Sequence, residues 1–246
     1  MRFATGGLLL VCAVSLRADS FADMKAAVSS LRGTASIQAA LEIQRTEIDR
    51  EKKPAQTSAA GAAVDALVDG SGLHISYTPA LLTRAAKEQA DQQANGELQA
   101  PTARAVAELG PLPIAERLDF GRVLLGMLGR AAVVSEKRVV YEGRPARLLA
   151  LKLNTLVPKT SIGHVELLED SMNLWIGDDN VPLAAQRMER YSGGILFIKG
   201  EGTQANRWVF VRKDDRLVAT RTESKSTSSG FGEHQDETET VKVLVK

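Results

Sequence analysis

Residues 146–153, ARLLALKL, are apolar on both sides of a two-residue period: Leu149, Leu151 and Leu153 alternate with Ala146, Leu148 and Ala150. Successive side chains of a strand point to opposite faces. A strand apolar on both faces needs cover on both, or it lines an apolar hollow. Either solution demands a sheet held inside a layered or curved fold. The flanking sequence supplies the turns. Glu142, Gly143, Arg144 and Pro145 precede the strand as a turn. Residues 163–176 end in MNLWI, and Gly177, Asp178, Asp179 and Asn180 then tolerate positive φ or cap locally. Pro182 has no N–H to donate, so it suits the start or edge of the return strand. Residues 139–191 therefore read as consecutive antiparallel strands.

The rest of the chain arranges itself around them. Phe21, Met24, Ala27, Val28 and Leu31 recur at helical spacing, and Gly33 ends that helix. Ile37, Ala39, Leu41 and Ile43 alternate with polar residues as a half-buried strand. The phase shifts after Arg45, which predicts a bulge. Residues 51–58 read as an exposed loop, 60–69 as a second strand, and 73–78 as a third. The character then changes. Pro79 opens an Ala- and Gln-rich helix over 79–94, residues 101–109 form a further helical turn or two, and 112–128 form the most apolar helix. Gly121, Gly126 and Gly129 spot that helix, which predicts either close packing or movement. After residue 131 the sheet resumes, with strands over 193–199, 207–212, 216–225 and 238–245 and loops over 200–206 and 227–233.

The N-terminus points to export. Arg2 is followed by an apolar run over residues 7–16, far short of the roughly 20 residues a membrane span needs. Residues 1–18 thus read as a signal peptide cut after Ala18, and 19–246 as one domain with a helical insert over about 79–130. Cys12, the single cysteine, falls inside the removed run, or else serves as a lipidation site. The expected location is periplasmic or otherwise extracytoplasmic, with no integral membrane segment. A net charge of +1 gives no argument for nucleic acid.

Little catalytic chemistry is visible. His74, His164 and His234 belong to different elements. His164 and Glu166 share a strand face without a third ligand, and His234 lies among Glu233, Asp236 and Glu237. No nucleophile elbow, phosphate loop or zinc-helix motif occurs. The expectation is no cofactor, no metal and no catalytic residue, although a hydrolase with a dispersed site stays open. What stands out is apolar surplus, in residues 146–153, in RWVFVR at 207–212, and in the second half of the 112–128 helix. Two readings remain open: two filled cores, or a curved sheet around a hollow with the helical insert as its lid.

Tyr141-Glu142-Gly143 running into residues 148–153, and Leu174-Trp175-Ile176 followed by Asp178, Asp179 and Pro182, resemble two hairpins of the outer-membrane lipoprotein carrier and receptor superfamily (the LolA/LolB-like fold). The order of elements is similar to that family over most of residues 19–246. The resemblance implies an α+β fold: an antiparallel, strongly curved sheet, an unclosed β-barrel, with the helical insert covering the open side. It implies a cavity for a lipid, an acyl chain or a lipoprotein. Leu149, Leu151, Trp175 and Trp208 are then wall candidates, and Leu125 and Met127 lid candidates. The chain departs from the family in its long insert and charged final hairpins. A non-enzymatic envelope scaffold with a filled core, meeting a protein partner, is the alternative.

Overall fold

The computed structural model describes residues 15–96, 98–155, 164–195, 198–230 and 233–246. Among these residues ten antiparallel strands form one unclosed sheet, and five helices lie on one of its faces. In chain order the elements are α1 (Ser15–Ser30), β1 (Ile37–Asp49), β2 (Gln56–Asp69), β3 (Gly72–Ser76), α2 (Pro79–Ala94), α3 (Pro101–Glu108), α4 (Pro111–Leu118), α5 (Phe120–Leu128), β4 (Ala132–Tyr141), β5 (Arg144–Lys152), β6 (His164–Ile176), β7 (Pro182–Ile195), β8 (Ile198–Lys213), β9 (Arg216–Gly230) and β10 (Glu233–Val245). The strand order is β3-β2-β1-β10-β9-β8-β7-β6-β5-β4, so β3 and β4 are the edges. Every neighbour except β1–β10 is a sequential hairpin.

The helix-covered face carries two side-by-side apolar clusters. Under α1 and α5 lie Leu149, Leu151, Met172, Leu174, Ile176, Trp208 and Phe210. Under α3 and α4 lie Ile37, Leu41, Ile43, Val64, Val241 and Val243, met by Ala105, Leu109, Ile114 and Leu118. Phe120 joins helix to sheet, its ring 5.4 Å from Trp208 and 5.1 Å from Phe210. Each such side chain contributes roughly 1.5–3 kcal/mol by leaving water. Residues 146–153 are covered fully on one face only, and Leu148 and Ala150 on the other stay half-buried. Leu149, Leu151 and Leu153 face the helices, while Ala146 packs on the other, outer face with Tyr141 and Ala184.

Several expectations change. The 112–128 helix is two helices, broken at Asp119, whose φ of −142° and ψ of 64° are not helical. Asp119 Oδ2 accepts from Arg122 Nε at 2.9 Å, and the carboxylate sits against Gly33. A Cβ on Gly33 would stand 2.5 Å from Asp119 Oδ2, so glycine is required there on space as well as on its φ of +67°. The other glycines divide: Gly121 lets α5 approach Val28 of α1, whereas Gly126 faces open space. The predicted bulge after Arg45 is absent, because β1 pairs in continuous register from residue 39 to 49 with β10 and from 37 to 49 with β2. The apolar phase stops there because Arg45 and Glu47 take the inward positions.

Residues 200–206, expected as a loop, are the interior of β8, and 227–230 continue β9. Residues 193–199 are not one strand, since 193–195 end β7 and 198–199 begin β8. The β4–β5 turn is shorter than expected, only Glu142 and Gly143, both at positive φ, with Arg144 already in β5. The helix over 79–94 has the expected bounds. The Thr78 hydroxyl caps it by accepting from Leu81 N at 3.3 Å. Its predicted apolar side is only partly covered: Ala85 is buried and Leu82 exposed.

The segment joining α1 to β1 is strapped to the β8–β9 turn. Asp215 accepts from Thr34 N at 2.8 Å, Thr34 Oγ1 at 2.6 Å and Ala35 N at 3.0 Å, and Arg216 Nε donates to the Ala35 carbonyl at 2.8 Å. The three donors, the Thr34 side chain first, hold the Asp215 carboxyl down to about 2. A lowered carboxyl stabilises the fold above its unfolded value, and that contribution is lost as pH falls from about 4 toward 2. Asp215→Asn should therefore lower the thermal midpoint at neutral pH and flatten its acid limb. Melts of both chains across that range by circular dichroism check this, and parallel acid limbs would count against it.

Candidate functional site

The long strands β6–β10 and β1 run past the helices, so the inward face changes character along its length. Opposed residues across the sheet read Leu174, Ala185, Trp208, Thr222, Val241, Ile43 in one row, and Met172, Arg187, Asn206, Ser224, Glu239, Arg45 two residues farther out. The next row is Asp170, Glu189, Gln204, Ser226, Glu237, Glu47. The apolar floor ends where the helices end, and a polar floor with charged flanks continues it.

One flank holds helices to sheet. Glu47 on β1 takes an ion pair from Arg104 on α3; Arg117 on α4 stands 3.6 Å from Glu239; Arg45 reaches Glu237 at 2.8 Å. Burial pushes the Glu237 and Glu239 carboxyls up, against the lowering pull of Arg45 and Arg117. The sign is opposite to that of Asp215. A glutamate raised in the folded state contributes stability below its unfolded value and loses it as pH rises. Mild acidification from neutrality should therefore stabilise the native chain before Asp215 is protonated. Glu239→Gln should reduce that gain, read as a smaller rise in midpoint.

The other flank opens into a cleft. Asp170 is buried on the inward face, midway along β6. Arg187 on β7 grips it with both arms, Nε to Oδ1 at 2.8 Å and Nη2 to Oδ2 at 2.9 Å. Arg187 also donates to Thr155 Oγ1 at 3.0 Å and pairs with Glu189 at 2.9 Å. Burial would lower the Arg187 guanidinium, but the Asp170 hydrogen bond and the two carboxylates hold it above its ordinary value. Burial raises the Glu189 carboxyl, more than Arg187 lowers it. Beside this group is a cleft of about 460 Å³ lined by Gly126, Met127, Gly129, Arg130, Asn154, Thr155 and Arg187. Asn154 Nδ2 donates to the Arg130 carbonyl at 2.9 Å, tying its two walls. A second cleft of about 590 Å³ meets it at Asn154 and Thr155 and runs past Val134, Leu153, Leu168 and Met172. Val134 is 63% and Leu168 44% exposed, so two large apolar side chains stand in water there.

Of the predicted wall, Leu149, Leu151 and Trp208 lie together on the helix-covered face, with Leu125 and Met127 of α5 half-buried against the same cluster. Trp175 does not join them. It opposes Leu148 in β5, points to the outer face, and stacks 5.5 Å from Tyr141. Its neighbour Leu174 takes the inward place opposite Leu149. Met127 and Leu151 each line one of the clefts. The polar members Asp170, Arg187, Asn154 and Thr155 escaped the sequence reading. The available signal was the period-two run Ile176, Leu174, Met172, Asp170, in which a carboxylate takes an inward place.

The histidines do not converge. His164's side chain lies outside the described residues, and His74 and His234 are exposed. His74 Nε2 is 2.7 Å from Ser71 Oγ and 3.6 Å from Asp69 Oδ1, while Ser71 Oγ donates to that same carboxylate at 2.6 Å. In an acyl-transfer triad the acid holds the imidazole nitrogen that the serine does not use. Here both partners crowd one nitrogen in an exposed hairpin turn, and Asp69 caps Ser71 N at 2.8 Å. The arrangement is that of a turn. Among the described residues no group of three or more His, Cys, Asp or Glu is placed to hold a metal ion. No described helix is long and apolar enough to cross a membrane.

The fold defines an unclosed antiparallel sheet with helices across one face. No family model matches the chain, and no curated protein matches it. Among solved structures, the crystal structure of MucB in complex with MucA(peri) aligns over 90% of this chain and 93% of that one, at 12% identity and a TM-score of 0.22.

Proposed function

We propose that this chain is a non-catalytic binding protein of an extracytoplasmic space that takes a lipid, an acyl chain or the acylated end of a lipoprotein in the paired clefts beside α5. One observation carries the reading. Exposed Val134 and Leu168 and half-buried Met127 line clefts that meet beside Arg187, so apolar walls and a polar anchor lie within reach of one amphipathic molecule. Both volumes, about 460 and 590 Å³, fall within the roughly 300–1,000 Å³ of small-molecule sites. A tail laid against these walls gains about 0.8 kcal/mol per buried methylene. A carbonyl or anionic head would meet Arg130, Asn154 and the outer edge of Arg187. The export pattern of residues 1–18 supports the compartment.

The test is native mass spectrometry of the chain purified from a bacterial periplasm. The expected result is a mass excess that organic extraction releases as lipid or acyl-peptide. Gly126→Phe places a ring in the first cleft from a position with open space around it. It should cut uptake of an environment-sensitive apolar probe by at least about tenfold, equivalent to about 1.4 kcal/mol. A clean apo mass with no probe uptake would move the reading to the alternative, an envelope scaffold with a filled core. The mutual packing of Leu149, Leu151, Trp208 and Phe120 favours that alternative.

A further inference from the structure

We infer that the outer face of the sheet, over β4–β9, is an electrostatic docking surface for an anionic lipid bilayer. Among the described residues no helix covers this face. Its orientation follows from the register: Val139 opposes Ala146, Leu148 opposes Trp175, and Trp175 opposes Ala184, all remote from the helix-covered clusters. Tyr141, Trp175, Val139 and Leu183 form an apolar and aromatic island on it.

Cations surround that island. Lys137 on β4 and Arg144 and Lys152 on β5 share the outer parity and are exposed. Farther across stand Arg190 on β7, Arg207 on β8, and Arg221 and Lys225 on β9, also exposed. The Arg207 guanidinium donates to the Tyr141 hydroxyl at 3.4 Å, which ties the charge to the island. The same rows carry two carboxylates, Glu169 and Glu223. Glu223 is shared, 3.7 Å from Arg207 and 2.5 Å from Arg221. Glu166 and Glu201 lie farther out along the hairpins. Among the described residues no carboxylate pairs with Lys137, Arg144, Lys152, Arg190 or Lys225. A chain of net charge +1 therefore concentrates positive charge on one face.

The distribution selects the partner. The cations span six strands, five spacings of about 4.8 Å or roughly 24 Å, and do not converge on a point. A discrete anion would need convergence, whereas a broad anionic surface needs only spread charge. Aromatic side chains among lysines and arginines suit the headgroup level of a bilayer. Each basic residue near such a surface strengthens binding about fivefold, and salt screens the attraction. This face is opposite to the helices, so docking would leave the first cleft beside α5 uncovered, while Lys152 and Glu169 place the rim of the second cleft at the edge of the docking surface.

The experiment is co-sedimentation of the full chain with phosphatidylcholine vesicles, with and without phosphatidylglycerol, at low and high salt. Binding should require phosphatidylglycerol and fade with salt. The triple variant K137E/R144E/K225E should weaken it more than about a hundredfold. Lys87→Glu, a reversal at an exposed position of α2 on the opposite side of the sheet, should leave it nearly unchanged. Circular dichroism checks that the variants, all at exposed positions, remain folded. Absence of binding to phosphatidylglycerol vesicles, or equal binding by the triple variant, overturns the inference. Binding to soluble polyglutamate with none to vesicles also overturns it, and makes the partner an acidic protein.

Discussion

Leu149→Arg should cost at least about 4–5 kcal/mol and sharply lower the unfolding midpoint, since domains are stable by only about 5–15 kcal/mol. Leu149 is 0% exposed at the centre of β5, opposite Leu174 and beneath the α1–α5 layer. A guanidinium there would be taken from water without a partner, a penalty of several kcal/mol per ion. Leu149→Met keeps the volume and should cost less than about 1.5 kcal/mol. Urea unfolding followed by circular dichroism measures both. The pair also decides between a filled core and a hollow. If Leu149→Arg folds with a near-normal midpoint, the arginine has found water, and the face beneath α5 is open space. If it unfolds while Gly126→Phe folds and fails to take up an apolar probe, the ligand lies in the peripheral clefts and not behind Leu149.

Asp170→Asn should cost about 3 kcal/mol, the second largest effect expected. The Asp170 side chain is 2% exposed and that of Arg187 14%, so solvent screens their pair weakly. Removing one charge leaves a buried guanidinium with Glu189 as its remaining carboxylate at 2.9 Å. Removing both should be far milder, because an apolar pair of similar volume needs no partner. Asp170→Leu with Arg187→Met should recover most of the loss in a double-mutant cycle. A single variant as stable as the native chain would mean that Arg187 already faces water across the cleft. The same cycle run on ligand uptake separates the anchor's two roles. A double variant that folds but binds weakly assigns Arg187 to the ligand.

Local pattern was a good guide wherever a residue's surroundings are set by its chain neighbours. The 79–94 helix followed from Pro79 and its spacing, the 177–180 turn from Gly-Asp-Asp-Asn, and the start of β7 from Pro182. Pattern failed where polar residues fill a strand. Residues 200–206 alternate no apolar face, since Gln204 and Asn206 look onto the polar end of the inward surface, and their extension is imposed by the ladders to β7 and β9. It failed also at Asp119, whose carboxylate packs against Gly33, more than eighty residues away in sequence.

An antiparallel α+β chain with an export pattern, doubly apolar central strands and a helical insert was legible in the amino-acid sequence, because hydrophobic period, turn chemistry and the N-terminal run are local properties. Which face each strand presents was not. A shift of one residue between β5 and β6 would put Trp175 inside and Leu174 outside; register alone sends Trp175 to the basic outer face and leaves Leu174 opposite Leu149. Nor was the meeting of Arg187 with Asp170, Thr155 and Asn154 legible, because the strands that bring them together are paired through a backbone ladder that records nothing of its partners in the order of the residues.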